Sequence, residues 1–146
     1  MAKQIIALID FSRVSDEVVR TAGDLGEFYG AKCWLMHVAA PDPDFIGYDV
    51  GPQYIRDSRA SVLKEEHQQL HVYKTSLESR GVDCEALLVM GPLYKTIEHE
   101  IGKLKADLIV LGSHGRSMLY ELVVGSVCDY LLKHASVPLM ILPSAK

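Results

Sequence analysis

The chain is poor in cysteine, in aromatic residues and in surplus charge of either sign. Its three cysteines, Cys33, Cys84 and Cys128, stand far apart with no Cys-x-x-Cys pair. A sparse, odd count argues against a disulfide framework and for free thiols in a reducing compartment. Cys33 and Cys84 each open an apolar run, where a cysteine serves as a small buried hydrophobe. The net charge of −4 and pI near 5.8 lack the basic balance of a nucleic-acid binder, so no nucleic-acid partner is expected. No apolar run approaches the length of a membrane span. The first, Ile5–Ile9, follows directly on Met1-Ala2-Lys3-Gln4, is too short for a signal sequence and lacks a cleavage site. The expectation is a cytoplasmic chain without membrane insertion.

What is present is a regular alternation. Five short apolar runs, Ile5–Ile9, Cys33–Val38, Ala86–Val89, Leu108–Leu111 and Leu139–Leu142, are near-continuous. Strands buried on both faces read this way. Helical spacing fills the intervals. Val18, Val19, Ala22, Leu25 and Phe28 make one face, with Ser15 as N-cap and Gly30 just past the end. Leu63, Leu70 and Leu77 recur every seven residues on a longer helix that Gly81 ends. Ile97, Ile101 and Leu104 mark a third helix opened by Pro92, and Val127, Leu131 and Leu132 a fourth. The β-α-β-α order predicts an open five-stranded parallel sheet with helices on both faces, a Rossmann-like α/β fold. At 146 residues a single domain over 1–146 is expected. Residues 39–56 form the one long irregular stretch, rich in proline, glycine and aspartate.

In such a sheet, ligands collect beyond the carboxyl ends of the strands, where strand order reverses. The first run ends in Asp10-Phe11-Ser12. The fourth ends in Leu111-Gly112-Ser113-His114-Gly115-Arg116, and nine residues after Gly115 separate it from Gly125-Ser126. Gly112 and Gly115 let backbone approach an anion without a Cβ in the way, and successive N–H groups can form an anion nest. Gly125-Ser126 opens the last helix, where unpaired N–H groups and the dipole favour negative charge. Ser126 adds a hydroxyl and Arg116 a full positive charge. Either glycine pair alone reads as a turn. Together on one strand-loop-helix unit they read as a phosphate site.

On these residues the chain resembles the universal stress protein family, in its ATP-binding branch, from Asp10-Phe11-Ser12 to the final strand. The resemblance implies that Gly112, Gly115, Gly125 and Ser126 hold phosphates and ribose, with Val127 adjoining. It places Asp10 beside the nucleoside and the backbone of Val38 against the adenine, with Leu8 and Leu111 at the ends of the flanking strands. It implies ATP with Mg²⁺ on the phosphates, strands one and four side by side, and a homodimer through the C-terminal strand.

Other side chains point to less. His67 and His71 stand four apart on a helix, but Gln68-Gln69-Leu70 between them lacks the glutamate of a metalloprotease motif. A solvated helix face is the expectation, and no metal site is assigned. His114 reads as an exposed loop histidine, and Asp42, Asp44 and Asp49 as a solvated loop. There is no Gly-x-x-x-x-Gly-Lys-Ser/Thr and no Gly-x-Gly-x-x-Gly after a strand, so neither a P-loop NTPase nor a dinucleotide fold is implied. The reading is a nucleotide-dependent regulatory or stress-response protein, acting on a protein partner the sequence does not name. The alternatives are a slow ATPase or ATP-using transferase and an ATP-independent interaction protein. No residue is assigned a catalytic role.

Overall fold

The computed structural model describes residues 2–39, 53–114 and 125–143, with only the backbone described over 53–59. Nine elements alternate along them: β1 (Gln4–Leu8), α1 (Ser15–Tyr29), β2 (Lys32–Ala39), α2 (Gln53–Glu78), β3 (Cys84–Met90), α3 (Leu93–Lys103), β4 (Leu108–Gly112), α4 (Ser126–His134) and β5 (Leu139–Leu142). All strand pairs are parallel and the order is β3-β2-β1-β4-β5. The chain winds outward to β3, then returns across β1 to β4. The order therefore reverses between β1 and β4, at the sheet centre. Strand ends differ from the apolar runs by a residue or two.

Alternate side chains of each strand enter one of two cores. On one face Ile5, Ala7, Leu35, Cys33, Cys84 and Val110 pack under α1 and α2, through Val18, Ala22, Leu70 and Leu77. On the other, Ile6, Met36, Ile109 and Leu111 pack under α3 and α4, through Ile97, Cys128 and Leu131. Both faces are thus covered, which accounts for strands apolar on both sides. Gly30 (φ 62°) and Gly81 (φ 82°) lie in the left-handed region past the ends of α1 and α2.

Three local expectations are corrected. Ser15 is not the N-cap of α1 but its first helical residue; Val14 holds the cap position, without a side-chain cap bond. The Ser15 side chain is buried and its Oγ donates to Asp10 Oδ1 at 3.3 Å. Phe28 is 80% exposed and Leu132 57% exposed, so neither is core. Each lies beside the helix stripe rather than in it, and Cys128 takes the buried place on α4. The two helix histidines, His67 and His71, are exposed. The aspartates of the 39–56 stretch lie outside the described residues. No helix among the described residues is long and apolar enough to cross a membrane.

Candidate functional site

β1 ends abruptly. Beyond Leu8 the chain keeps one ladder bond, Ile9 N–H to the Met36 carbonyl at 2.8 Å, and then turns away. The turn is made by Phe11 at φ 61°. A bulky residue there is strained, and such strain concentrates at functional sites. Asp10 holds the turn: its Oδ1 accepts from the Ser12 N–H at 2.9 Å and from the Ser15 hydroxyl.

β2 runs on past that turn. In a parallel ladder the next bond would carry the Val38 N–H to the Ile9 carbonyl. The ladder instead ends at the Leu8–Met36 pair. The Ile9 carbonyl accepts from His37 Nδ1 at 2.7 Å. Among the described residues the Val38 N–H has no acceptor on β1.

On the other side of the switch point, β4 ends at Gly112 and the chain re-enters the site at Gly125, whose N–H donates to the Ser113 carbonyl at 2.7 Å. Gly125 is the N-cap of α4, at φ −62° and ψ 155°, with no side-chain cap. The first bond inside α4 runs from the Asp129 N–H to the Gly125 carbonyl. The N–H groups of Ser126, Val127 and Cys128 therefore have no acceptor within the helix. They form a small positive end open to an anion.

These pieces enclose one cleft of about 640 Å³. Leu8, Asp10, Val38, Leu111, Gly112, Gly125, Ser126 and Val127 all line it. Gly115 and Arg116 lie outside the described residues. His114 also lines the cleft, half-buried, with its Nδ1 2.9 Å from Ser113 Oγ, rather than standing free on an exposed loop. Its lining combines the apolar side chains of Leu8, Met36, Val38, Leu93 and Ile97 with the start of α4. Asp10 is the one carboxylate among the described lining residues.

Sequence reasoning missed Met36, His37, Leu93, Ile97 and Cys128 as lining residues. Pro92, two residues after the end of β3, was a signal that α3 begins at the cleft rim. Nothing local marks His37, whose partners lie on other elements.

The fold and the cleft together define a Rossmann-like α/β protein with a cleft at the topological switch point. The chain belongs to the universal stress protein family, whose sequence model matches residues 1–143. It is 29% identical over 145 residues to universal stress protein MJ0531 of Methanocaldococcus jannaschii, covering 99% of this chain and 84% of the relative. Among solved structures it is similar to MJ0577 of the same organism, with a TM-score of 0.84 at 20% identity, covering 99% and 97% of the two chains. A universal stress protein in complex with cAMP superposes with a TM-score of 0.71 at 19% identity over 99% and 98%. A family member from Arabidopsis thaliana with AMP bound gives 0.62 at 21% over 96% and 90%.

Proposed function

We propose that this chain binds an adenine nucleotide in the switch-point cleft, with ATP and Mg²⁺ as the working ligand, and acts as a cytoplasmic nucleotide-dependent regulator. The observation that carries the reading is the pairing within one cleft of an apolar slot and an uncapped helix start. A planar base suits the walls of Leu8, Met36, Val38, Leu93 and Ile97. Phosphates suit the free N–H groups at Ser126–Cys128, where a glycine cap leaves room for close approach. The Val38 N–H, without an acceptor on β1 among the described residues, is the donor this reading gives to the base edge. Asp10, steadied by Ser12 and Ser15, lines the same cleft and is the group this reading gives to the ribose. Gly112, Gly115, Gly125, Ser126 and Arg116 form the phosphate side of this reading. Mg²⁺ would travel with the phosphates and be held mainly by them, since a single protein carboxylate and waters suffice for it. The cAMP and AMP complexes of related structures support the adenine nucleotide class.

The regulatory reading is preferred to an enzymatic one because the site offers positioning groups and few reactive ones. Binding ground and transition states equally accelerates nothing. The same reading includes a homodimer through β5, one of the two edge strands of the sheet. The test is the small molecule carried by protein purified without added nucleotide, identified by mass spectrometry after denaturation. ATP in near-stoichiometric amount supports the proposal. Release of cAMP or AMP alone moves the working ligand, and protein that carries none and takes up none from millimolar MgATP overturns it.

A further inference from the structure

His37 is buried at the head of β2, its ring 4.7 Å from that of Phe11. Its two nitrogens face two acceptors. Nδ1 lies 2.7 Å from the Ile9 carbonyl, and Nε2 lies 2.6 Å from Glu66 Oε2 on α2. The two side chains are only 10% and 14% exposed. A carbonyl oxygen cannot donate, so Nδ1 must carry a hydrogen. At 2.6 Å the two atoms are within hydrogen-bond distance, and a bond there requires a proton between Nε2 and the carboxylate. With that proton the pair is either imidazolium and carboxylate or imidazole and carboxylic acid. Both forms are neutral overall. Loss of that proton sets a nitrogen lone pair against a buried carboxylate.

The consequence reaches the cleft. His37 takes the carbonyl that would otherwise receive the Val38 N–H, and so leaves that N–H to a ligand. It also pins Ile9, the residue before Asp10, and ties α2 to the cleft rim. We infer that His37 and Glu66 form a proton-held latch in which His37 is a positioning residue for the nucleotide, so that losing the shared proton weakens binding. This rests on the nucleotide reading above.

Among the described residues, the other titratable groups around the latch are held by other partners or by burial. On the β1 side Asp10 is bonded to Ser12 and Ser15. β3 meets His37 with the apolar Leu88. From beyond β4 and from α4 come His114, bonded to Ser113, and the Cys128 thiol, which burial raises and the Asp129 charge raises further. Further along α2, Tyr73 is engaged with Asp16 of α1.

The test compares wild type, Glu66→Gln and Glu66→Ala in two measurements. The first is MgATP affinity by calorimetry from pH 6 to 9. Protonation of ATP itself affects all three alike, so the ratio between proteins is read. Wild-type affinity should fall on the alkaline side, by at most about tenfold per pH unit for one proton. Glu66→Gln should remain flat there, since its amide donates to the lone pair of a neutral His37. Glu66→Ala, which removes the partner, should bind about tenfold more weakly at pH 7, as a coupling of ordinary size gives. The second is imidazole ¹⁵N NMR of the nucleotide-free protein. It should show the His37 proton leaving Nε2 over the pH range in which wild-type affinity falls, with Nδ1 protonated throughout. Equal pH slopes in wild type and Glu66→Gln overturn the latch and leave the nucleotide reading standing. So does a His37 that carries one proton while Glu66 is ionised at pH 7. No MgATP binding by any of the three at any pH, with the NMR pair intact, overturns the nucleotide reading and the latch's role with it.

Discussion

The side chain of Val14 occupies the space that any side chain at Gly112 would need: a Cβ there would run into Val14 Cγ1. Gly112 does not have a left-handed backbone, so its lack of a Cβ is a matter of packing between the end of β4 and the start of α1. Gly112→Ala should therefore cost about 1–3 kcal/mol by overpacking, read as a lowered denaturant midpoint. Combining it with Val14→Ala, which vacates the space, should restore part of the loss. Equal midpoints for Gly112→Ala and wild type contradict this account.

The two thiols paired across β2 and β3, Cys33 and Cys84, should be inert in the native state. Burial, with the Asp83 charge adding, pushes the Cys33 thiol from its ordinary 9.0 up to about 11. Burial, with the neighbouring Cys33 adding, pushes Cys84 to about 12. Native protein at pH 8 should label at these positions only as fast as it unfolds. The sign for stability follows. A raised folded value favours the protonated thiol, so this stabilisation is complete below pH 9 and is lost as pH climbs toward 11. Under reducing conditions the urea midpoint should fall across that window, and less so in Cys33→Ala.

β5 offers a direct test of the dimer. Its residues 138, 140 and 142 turn their backbone groups toward β4, as the Ile109-to-Pro138 and Ser113-to-Leu142 bonds show. Leu139 and Ile141 therefore present theirs to the open edge. Charges at these two positions would also disturb the α3–α4 core, into which both side chains pack. Ile141→Pro instead removes one outward N–H and leaves the β4 ladder bonded. Sedimentation at micromolar concentration should show two chains in the wild type and a weakened dimer in Ile141→Pro. A wild-type monomer rules the edge pairing out.

Hydrolysis should be slow. A catalysed attack needs a positioned water and a group to orient it. Of the described lining residues, Asp10 already accepts two bonds and His114 is engaged by Ser113. Phosphate release should stay below about 1 s⁻¹, the low end for enzymes. A faster rate that vanishes in Gly125→Val would move the protein into the enzyme class.

Much of the fold was legible because parallel strands covered on both faces leave unbroken apolar runs, and Leu70 and Leu77 mark the buried stripe of α2. The strand ends that line the cleft, Asp10 after β1 and Gly112 and Gly125-Ser126 around β4, were legible from residue type and spacing. Strand order was not, since nothing in a run of valines and leucines says which neighbour it pairs with. Ser15 looked like a cap because serine before a helix usually is one; here its hydroxyl is recruited by Asp10. Phe28 and Leu132 fall at nearly the right helical phase, and only the packed structure shows them beside the stripe. His37 and Glu66 meet through tertiary contact alone, as do Gly112 and Val14.

The most direct test of nucleotide binding in the cleft is the thermal stability of wild type and Gly125→Val with and without MgATP. The backbone of Gly125 (φ −62°, ψ 155°) is open to any residue, so valine should fold there at a cost of about 1 kcal/mol as a poor N-cap. Its side chain would crowd the start of α4. At a hundred times Kd, MgATP should stabilise the wild type by about 2.7 kcal/mol, a rise of roughly 10 °C for a chain of this size. Gly125→Val should fold and show no rise. A wild type unmoved by millimolar MgATP, or a Gly125→Val protein stabilised as much as wild type, would contradict the account.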